Sequence, residues 1–110
     1  MSIAVDFDGV LAEYSHAKAV LFTGRPIYKM IDRVKLWISE GRKVVIFTAR
    51  ADNPIEIAII KRWCKKYIGE ELPVTNKKSR LFTEFWDDKA VPIKMNTGAI
   101  WDRAEKLEGK

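Results

Sequence analysis

Two carboxylates follow the first apolar segment of the chain. Asp6 and Asp8 come directly after Ile3 and Val5 and just before Gly9, a residue that lets the chain turn. Alternating apolar residues of this type are typical of a buried strand, so the two acids lie where that strand ends, the edge at which open α/β sheets bind ligands. Because carboxylate pairs also cap helices and shape turns, the pair alone is a moderate signal. It predicts a bound cation.

Three further groups of polar residues strengthen this prediction, since two of them also follow apolar runs. They are Thr48 and Arg50 after the run 43–47, the adjacent Lys77 and Lys78, and Asp87 and Asp88 after the run 82–86. The order along the chain is therefore Asp-x-Asp, Thr-x-Arg, Lys, Asp-Asp.

This order of motifs resembles the haloacid dehalogenase-like (HAD) superfamily, and the likeness extends from Ile3 to about Ala90. The combination of Thr-x-Arg with Asp-Asp is similar to polynucleotide phosphatase domains. The resemblance implies a small capless phosphohydrolase, a phosphatase that acts on phosphoric monoesters through an aspartyl-phosphate intermediate.

The resemblance also implies a role for each acid. Asp6 is the expected nucleophile and Asp8 the expected proton shuttle. Mg²⁺ is the expected cofactor, held by Asp6, by the backbone carbonyl of Asp8 and by Asp88. Asp87 is expected to lie beside the ligands of the ion without binding it directly. Which of Asp87 and Asp88 is the direct ligand stays open.

Three residues are expected to bind the phosphate of the substrate. Thr48 would donate a hydrogen bond to a phosphoryl oxygen, Lys78 would neutralise the charge that develops on the transferred group, and Arg50 would reach the same phosphate. Each has an alternative. The Thr48 hydroxyl could cap a turn, Arg50 could form a surface ion pair, and Lys77 could take the place of Lys78.

Apolar periodicity predicts alternating strands and helices. One helix follows Pro26 and ends before Gly41, and a second begins at Asn53 and Pro54 and runs to about Ile68. Strands are expected at 3–5, 43–47, 73–75 and 84–86, and a short last helix at Ile100, Ala104 and Leu107. These elements predict a Rossmann-like three-layer α/β sandwich with a central parallel sheet and helices on both faces.

The segment between Gly9 and Pro26 is too long for a simple βα loop, which takes about two to six residues. A small flap is expected here, with Val20 to Phe22 as one arm of a hairpin. A chain of 110 residues predicts a single domain over 1–110, too short for a separate lid.

Other features bound the class of protein. No apolar run approaches the ~20 residues needed to span a bilayer, and the chain enters a strand at once, so we expect a cytoplasmic protein with no membrane contact. The single cysteine, Cys64, lies among apolar residues at helical spacing and is expected in the core. The single histidine, His16, is expected in a polar loop and leaves too few ligands for a histidine zinc site.

The net charge of +5 favours anionic partners. A phosphorylated substrate is expected, with a nucleic-acid end or a nucleotide as candidates, and a homo-oligomer could cover the open site. Two other classes compete with an enzyme, namely a receiver-like phospho-acceptor domain and an inactive nucleic-acid-binding accessory protein. A receiver would place its adjacent acids first and its lysine last, whereas here Asp87 and Asp88 close the series.

Overall fold

The computed structural model describes residues 1–14 and 23–101. Its elements are β1 (Ser2–Val5), α1 (Tyr28–Ser39), β2 (Lys43–Phe47), a short 3-10 helix (Ala49–Asp52), α2 (Pro54–Tyr67), β3 (Val74–Thr75) and β4 (Phe82–Trp86). All strand pairs are parallel, and the order across the sheet is β3-β2-β1-β4. The predicted α/β fold with a parallel sheet is confirmed.

The two helices begin and end close to the predicted residues because local signals specify them. Asn53 caps α2, since its side chain accepts a hydrogen bond from the Ile55 amide at 2.9 Å, and Pro54 occupies the first turn. Cys64 is fully buried in the core, as predicted. Burial raises the pKa of its thiol to about 12, so it is an inert core residue.

Both described helices pack on the same face of the sheet. The core joins residues that alternate onto one side of β1 and β2 to buried residues of both helices, namely Ile3, Val5, Val44 and Ile46 with Val34, Trp37, Ile60 and Trp63. Right-handed crossovers from β1 to β2 and from β2 to β3 lead in the same direction, which places α1 and α2 on the same side. The expectation of helices on both faces is not met within the described residues.

The opposite face of the sheet carries aromatic side chains. Phe47, Phe82 and Phe85 contact one another edge to face, with ring centroids 5.7–6.0 Å apart. The connection from β3 back to β4 crosses this side through residues 76–81, which contain no helix. A second helical layer is thus absent from this connection.

The base of the predicted flap is formed next to the end of β1. Ala12 and Pro26 form an antiparallel bridge, flanked by hydrogen bonds from the Glu13 amide to the Arg25 carbonyl and from the Ile27 amide to the Leu11 carbonyl, each 2.8 Å. The predicted arm from Val20 to Phe22 and the loop residue His16 lie outside the described residues.

The chain after β4 differs from the prediction at Ile100. This residue forms an antiparallel bridge with Ile93, because a tight turn over 94–99, with positive φ at Asn96 and Gly98, brings it back. The predicted last helix therefore does not include Ile100, and Ala104 and Leu107 lie outside the described residues. Within 1–14 and 23–101, no helix is both long enough and apolar enough to cross a bilayer.

Candidate metal and phosphate site

Three carboxylates converge at the carboxyl edge of the sheet. Asp6 follows β1, and Asp87 and Asp88 follow the neighbouring strand β4. The Asp6 amide donates to the Trp86 carbonyl at 2.9 Å, which extends the strand pairing up to the acids. One carboxylate oxygen from each of the three lies within 4.8 Å of the others. The structure brings Asp6 together with Asp87 and Asp88, whereas the predicted metal ligands are Asp6, Asp8 and Asp88. Binding of an ion by these acids stays a prediction.

The surroundings of Asp6 disfavour its negative charge. Its pKa is raised to about 6, chiefly by burial and further by repulsion from Asp87, Asp88 and Asp8. A hydrogen bond of 2.7 Å from the Phe7 amide to Asp6 Oδ1 acts in the opposite direction. A cation would relieve the repulsion, and a set of carboxylate oxygens is the donor chemistry that Mg²⁺ prefers. The residues present therefore fit the expected ion.

Gly9 allows Asp88 to approach the end of β1. Its φ is +83°, a left-handed conformation that side chains rarely adopt. A Cβ atom at this position would lie 3.1 Å from Asp88 Oδ2, closer than ordinary van der Waals contact. Glycine is thus required both for the turn and for the packing of a site residue.

Asp8 lies apart from the three converging carboxylates in an ion-paired chain. Its Oδ1 accepts a hydrogen bond from Arg50 Nη1 at 2.9 Å, and Arg50 Nε donates to Glu56 Oε1 at 3.0 Å. The guanidinium also lies over the Phe7 ring, 5.6 Å from its centroid. The Asp8 side chain is therefore placed as a separate group, and its expected role through the backbone carbonyl stays a prediction.

Arg50 and Thr48 both take part in local interactions. The Arg50 side chain is only 13% exposed and bridges two carboxylates, so it is not the surface ion pair considered as its alternative. The buried Thr48 hydroxyl accepts a hydrogen bond from the Arg50 amide at 3.2 Å and caps the 3-10 helix. The turn-capping alternative is therefore realised, and the hydroxyl hydrogen remains able to donate to another acceptor. Contact of either residue with phosphate stays a prediction.

Lys78 lies against an aromatic ring rather than against the acids. Its Nζ is 5.5 Å from the Phe85 ring centroid, a cation–π arrangement on the sheet face opposite the helices. The Lys77 amide donates to Thr75 Oγ1 at 3.1 Å. Within the described part of the chain, no salt bridge joins either lysine to Asp6, Asp87 or Asp88. The structure does not bring the two lysines into contact with the carboxylates, and the choice between them stays open.

Two features of the site escaped the sequence analysis. One is Glu56, an acid in the first turn of α2 that is 3% exposed. Its spacing of four from Ile60 and seven from Trp63 places it on the inward stripe of the helix, a signal that was available in the sequence. An acid on a buried stripe needs a partner, which here is Arg50.

The second feature is a cavity of about 280 Å³ beside Asp88. Its basic lining comes from Lys29 and Arg33, one turn apart on α1, and its apolar lining includes Ile27, Met30 and Trp86. Because α1 begins at the carboxyl edge of the sheet, these two cations face the same side of the molecule as the acids.

Comparison with known proteins supports the fold. No protein-family model matches the sequence, and neither does any curated protein. A solved structure described as a conserved protein coded by a locus from Bacteroides thetaiotaomicron is 26% identical, with a TM-score of 0.60. The match covers 98% of this chain and 87% of that one. The parallel α/β architecture is therefore shared over nearly the whole length, and the description of that protein states no activity.

Proposed function

We propose that this protein is a Mg²⁺-dependent phosphomonoester hydrolase of the HAD type, working through an aspartyl-phosphate on Asp6. The observation that carries the proposal is the separation of two kinds of carboxylate at one sheet edge. Asp6, Asp87 and Asp88 converge within 4.8 Å, while Asp8, only two residues from Asp6, is paired with Arg50. Carboxylates in different environments at one site suit different chemical roles.

The converging acids would hold the metal. Asp6 and Asp88 supply carboxylate oxygens, and Asp87 stands beside them with one oxygen, Oδ1, accepting from the Lys89 amide at 2.7 Å. When bound, Mg²⁺ would offset the negative charge of a phosphate that otherwise repels an anionic nucleophile. Asp6, which is half-buried and closest to the end of β1, is the acid assigned to attack.

The covalent chemistry belongs to Asp6 and Asp8. An Asp6 carboxylate oxygen forms a bond to phosphorus while the ester P–O bond breaks, and the ester oxygen takes a proton from Asp8. In the second step water forms a bond to phosphorus, the bond from Asp6 to phosphorus breaks, and Asp8 accepts the proton of the water. Asp6 and Asp8 return to their starting states, and the products are an alcohol and inorganic phosphate.

The cavity beside Asp88 is assigned to the organic part of the substrate. Lys29 and Arg33 would pair with a second anionic group, and Ile27 and Met30 would contact an apolar or ring portion. A nucleotide or the phosphorylated end of a nucleic acid has both features. It is the substrate class that this lining favours.

Hydrolysis of an aryl phosphate with and without Mg²⁺ tests the proposal. Activity should require the ion, disappear with excess chelator, and fall by about 10³ or more in Asp88→Asn, because the metal loses a ligand. Glu70→Gln, which alters an exposed acid outside the site, is the matched control and should behave as the wild type.

Two outcomes would contradict the proposal. Full turnover in excess chelator would remove the metal from the chemistry. Stoichiometric phosphorylation without release of phosphate would identify a receiver-like phospho-acceptor instead of a hydrolase.

A further inference from the structure

Glu56 is a buried acid whose only described side-chain partner is Arg50. It is 3% exposed and occupies the stripe of α2 that includes Ile60 and Trp63, where an apolar side chain would be the less costly choice. A buried ion pair seldom adds stability over a well-packed apolar pair. Stability alone therefore does not explain the buried pair of Glu56 and Arg50, and we ask which group the pair holds in position.

Arg50 is held by three contacts that leave its guanidinium little freedom. Nε donates to Glu56, Nη1 donates to Asp8, and the plane lies over the Phe7 ring. Nη2 is buried and has no partner among the described residues. Without Glu56, the long Arg50 side chain would gain rotamers, and its hold on Asp8 would weaken.

We propose that Glu56 is a positioning residue of the site, acting through Arg50 to fix the side chain of Asp8. Arg50 holds Asp8 Oδ1, which leaves Oδ2 to carry the proton that passes to the ester oxygen as the P–O bond breaks. This inference rests on the proposed phosphatase function. It adds a residue that contacts neither substrate nor metal.

The positioning role makes a prediction that depends on the leaving group. An aryl phosphate releases a stable phenolate and needs little protonation, whereas an alkyl phosphate needs the proton from Asp8. Glu56→Gln keeps the size of the side chain and one acceptor oxygen but removes the charge that orients Arg50. Its kcat should fall by about 10² on an alkyl phosphate and by less than about threefold on an aryl phosphate, with KM little changed.

A second variant guards against a folding defect in the first. Arg50→Lys keeps the charge but cannot reach two carboxylates with one fork, so its kcat should fall further on the alkyl phosphate than on the aryl phosphate, beyond any loss that both esters share through weaker phosphate binding. The double variant should lose no more than Arg50→Lys alone, because both changes interrupt one chain. Glu70→Gln, measured beside them, should leave kcat unchanged on both substrates.

The result that would overturn this proposal is an equal loss on both esters in Glu56→Gln and Arg50→Lys, or no loss on either. An equal loss together with a lowered Tm would assign Glu56 a structural role alone. A wild-type protein that hydrolyses neither ester would instead refute the phosphatase proposal itself, and with it this one.

Discussion

Asp6 and Asp8 have the same type of side chain and lie two positions apart, but the charged groups that surround them are of opposite sign. Asp6 faces two further carboxylates and is partly removed from water, whereas Asp8 faces a guanidinium. In a continuous strand, side chains two positions apart lie on the same face. The chain turns at Gly9, so Asp8 does not follow this pattern of β1. This turn gives the two acids separate surroundings.

The raised pKa of Asp6 has a consequence for stability. The folded protein holds the Asp6 proton more tightly than the unfolded chain, with a pKa of about 6 against the ordinary 3.8. The stability that this difference contributes is fully present below about pH 4 and is lost as the pH rises through about 6. Above that range, the ionised Asp6 destabilises the metal-free fold.

Asp6→Asn should therefore raise the Tm of the metal-free protein at about pH 8, and the difference should narrow toward about pH 4. Mg²⁺ should raise the Tm of the wild type but hardly that of the variant, because a ligand of the folded state is lost. Thermal denaturation with and without chelator provides the measurement. If Asp6→Asn is less stable than the wild type at about pH 8 without metal, then burial and repulsion by the neighbouring carboxylates do not destabilise the ionised Asp6.

The sequence predicted the positions of the acidic residues better than those of the basic residues. Asp6, Asp87 and Asp88 sit at strand ends, and parallel strands deliver their ends to one edge whatever their order. Lys78 sits in the middle of a connection, so its position depends on the path of residues 76–81, which no local pattern specifies. Glu56 could have been found from its helical spacing, but its partner depends on tertiary packing.

At the element scale, the loop after β1 links the sheet to the metal site. The Gly9 amide donates to the Ala12 carbonyl at 2.7 Å, and three amides, from Val10, Leu11 and Ala12, converge on the Phe7 carbonyl. This tight turn leads directly into the flap base and places Gly9 close to the Asp88 carboxylate. The geometry of the site is thus coupled to the turn through a residue without a side chain.

Gly9→Ala should weaken Mg²⁺ binding by about tenfold or more, because the new methyl group meets Asp88 Oδ2 and displaces a metal ligand. Gly41→Ala is the matched control, since its φ of +81° imposes the same backbone strain but a Cβ there meets nothing within 4 Å. Both variants should lose about 1 kcal/mol of stability. Titration calorimetry with Mg²⁺ separates them, and equal affinities in the two variants would contradict the assigned contact.

Elements with strong local signals were predicted well, and their arrangement was predicted less well. Asn53, Pro54 and the apolar spacing of α1 and α2 define the helices without reference to the rest of the molecule. The face on which each helix packs follows from the strand order, which the sequence did not reveal. With β3 and β2 on one side of β1, both crossovers run in one direction, and the prediction of helices on both faces fails for the described residues.

At the scale of the whole molecule, the charge beside the site should govern the choice of substrate. Lys29 and Arg33 line the cavity next to Asp88. A positively charged approach favours a substrate that brings further phosphates, and this attraction weakens as salt screens it.

A phosphorylated oligonucleotide should therefore exceed a sugar phosphate in kcat/KM at low salt, with the advantage shrinking at high salt. Lys29→Gln should reduce the advantage, whereas Lys65→Gln, the same charge change in the last turn of α2, should not, since that end of the helix lies toward the opposite edge of the sheet. Competition assays at two ionic strengths decide the matter. A strong, salt-independent preference for one small metabolite would contradict the role assigned to this charge.

Trapping the phosphorylated enzyme during turnover tests the assignment of Asp6 as the nucleophile. The protein is mixed with Mg²⁺ and an aryl phosphate, quenched in acid within the first turnover, digested, and analysed by mass spectrometry. We expect one added phosphoryl group on the peptide that contains Asp6, at Asp6 itself, and none in Asp6→Asn. Sustained phosphate release by Asp6→Asn, or a phosphoryl group found on another residue, would contradict this assignment.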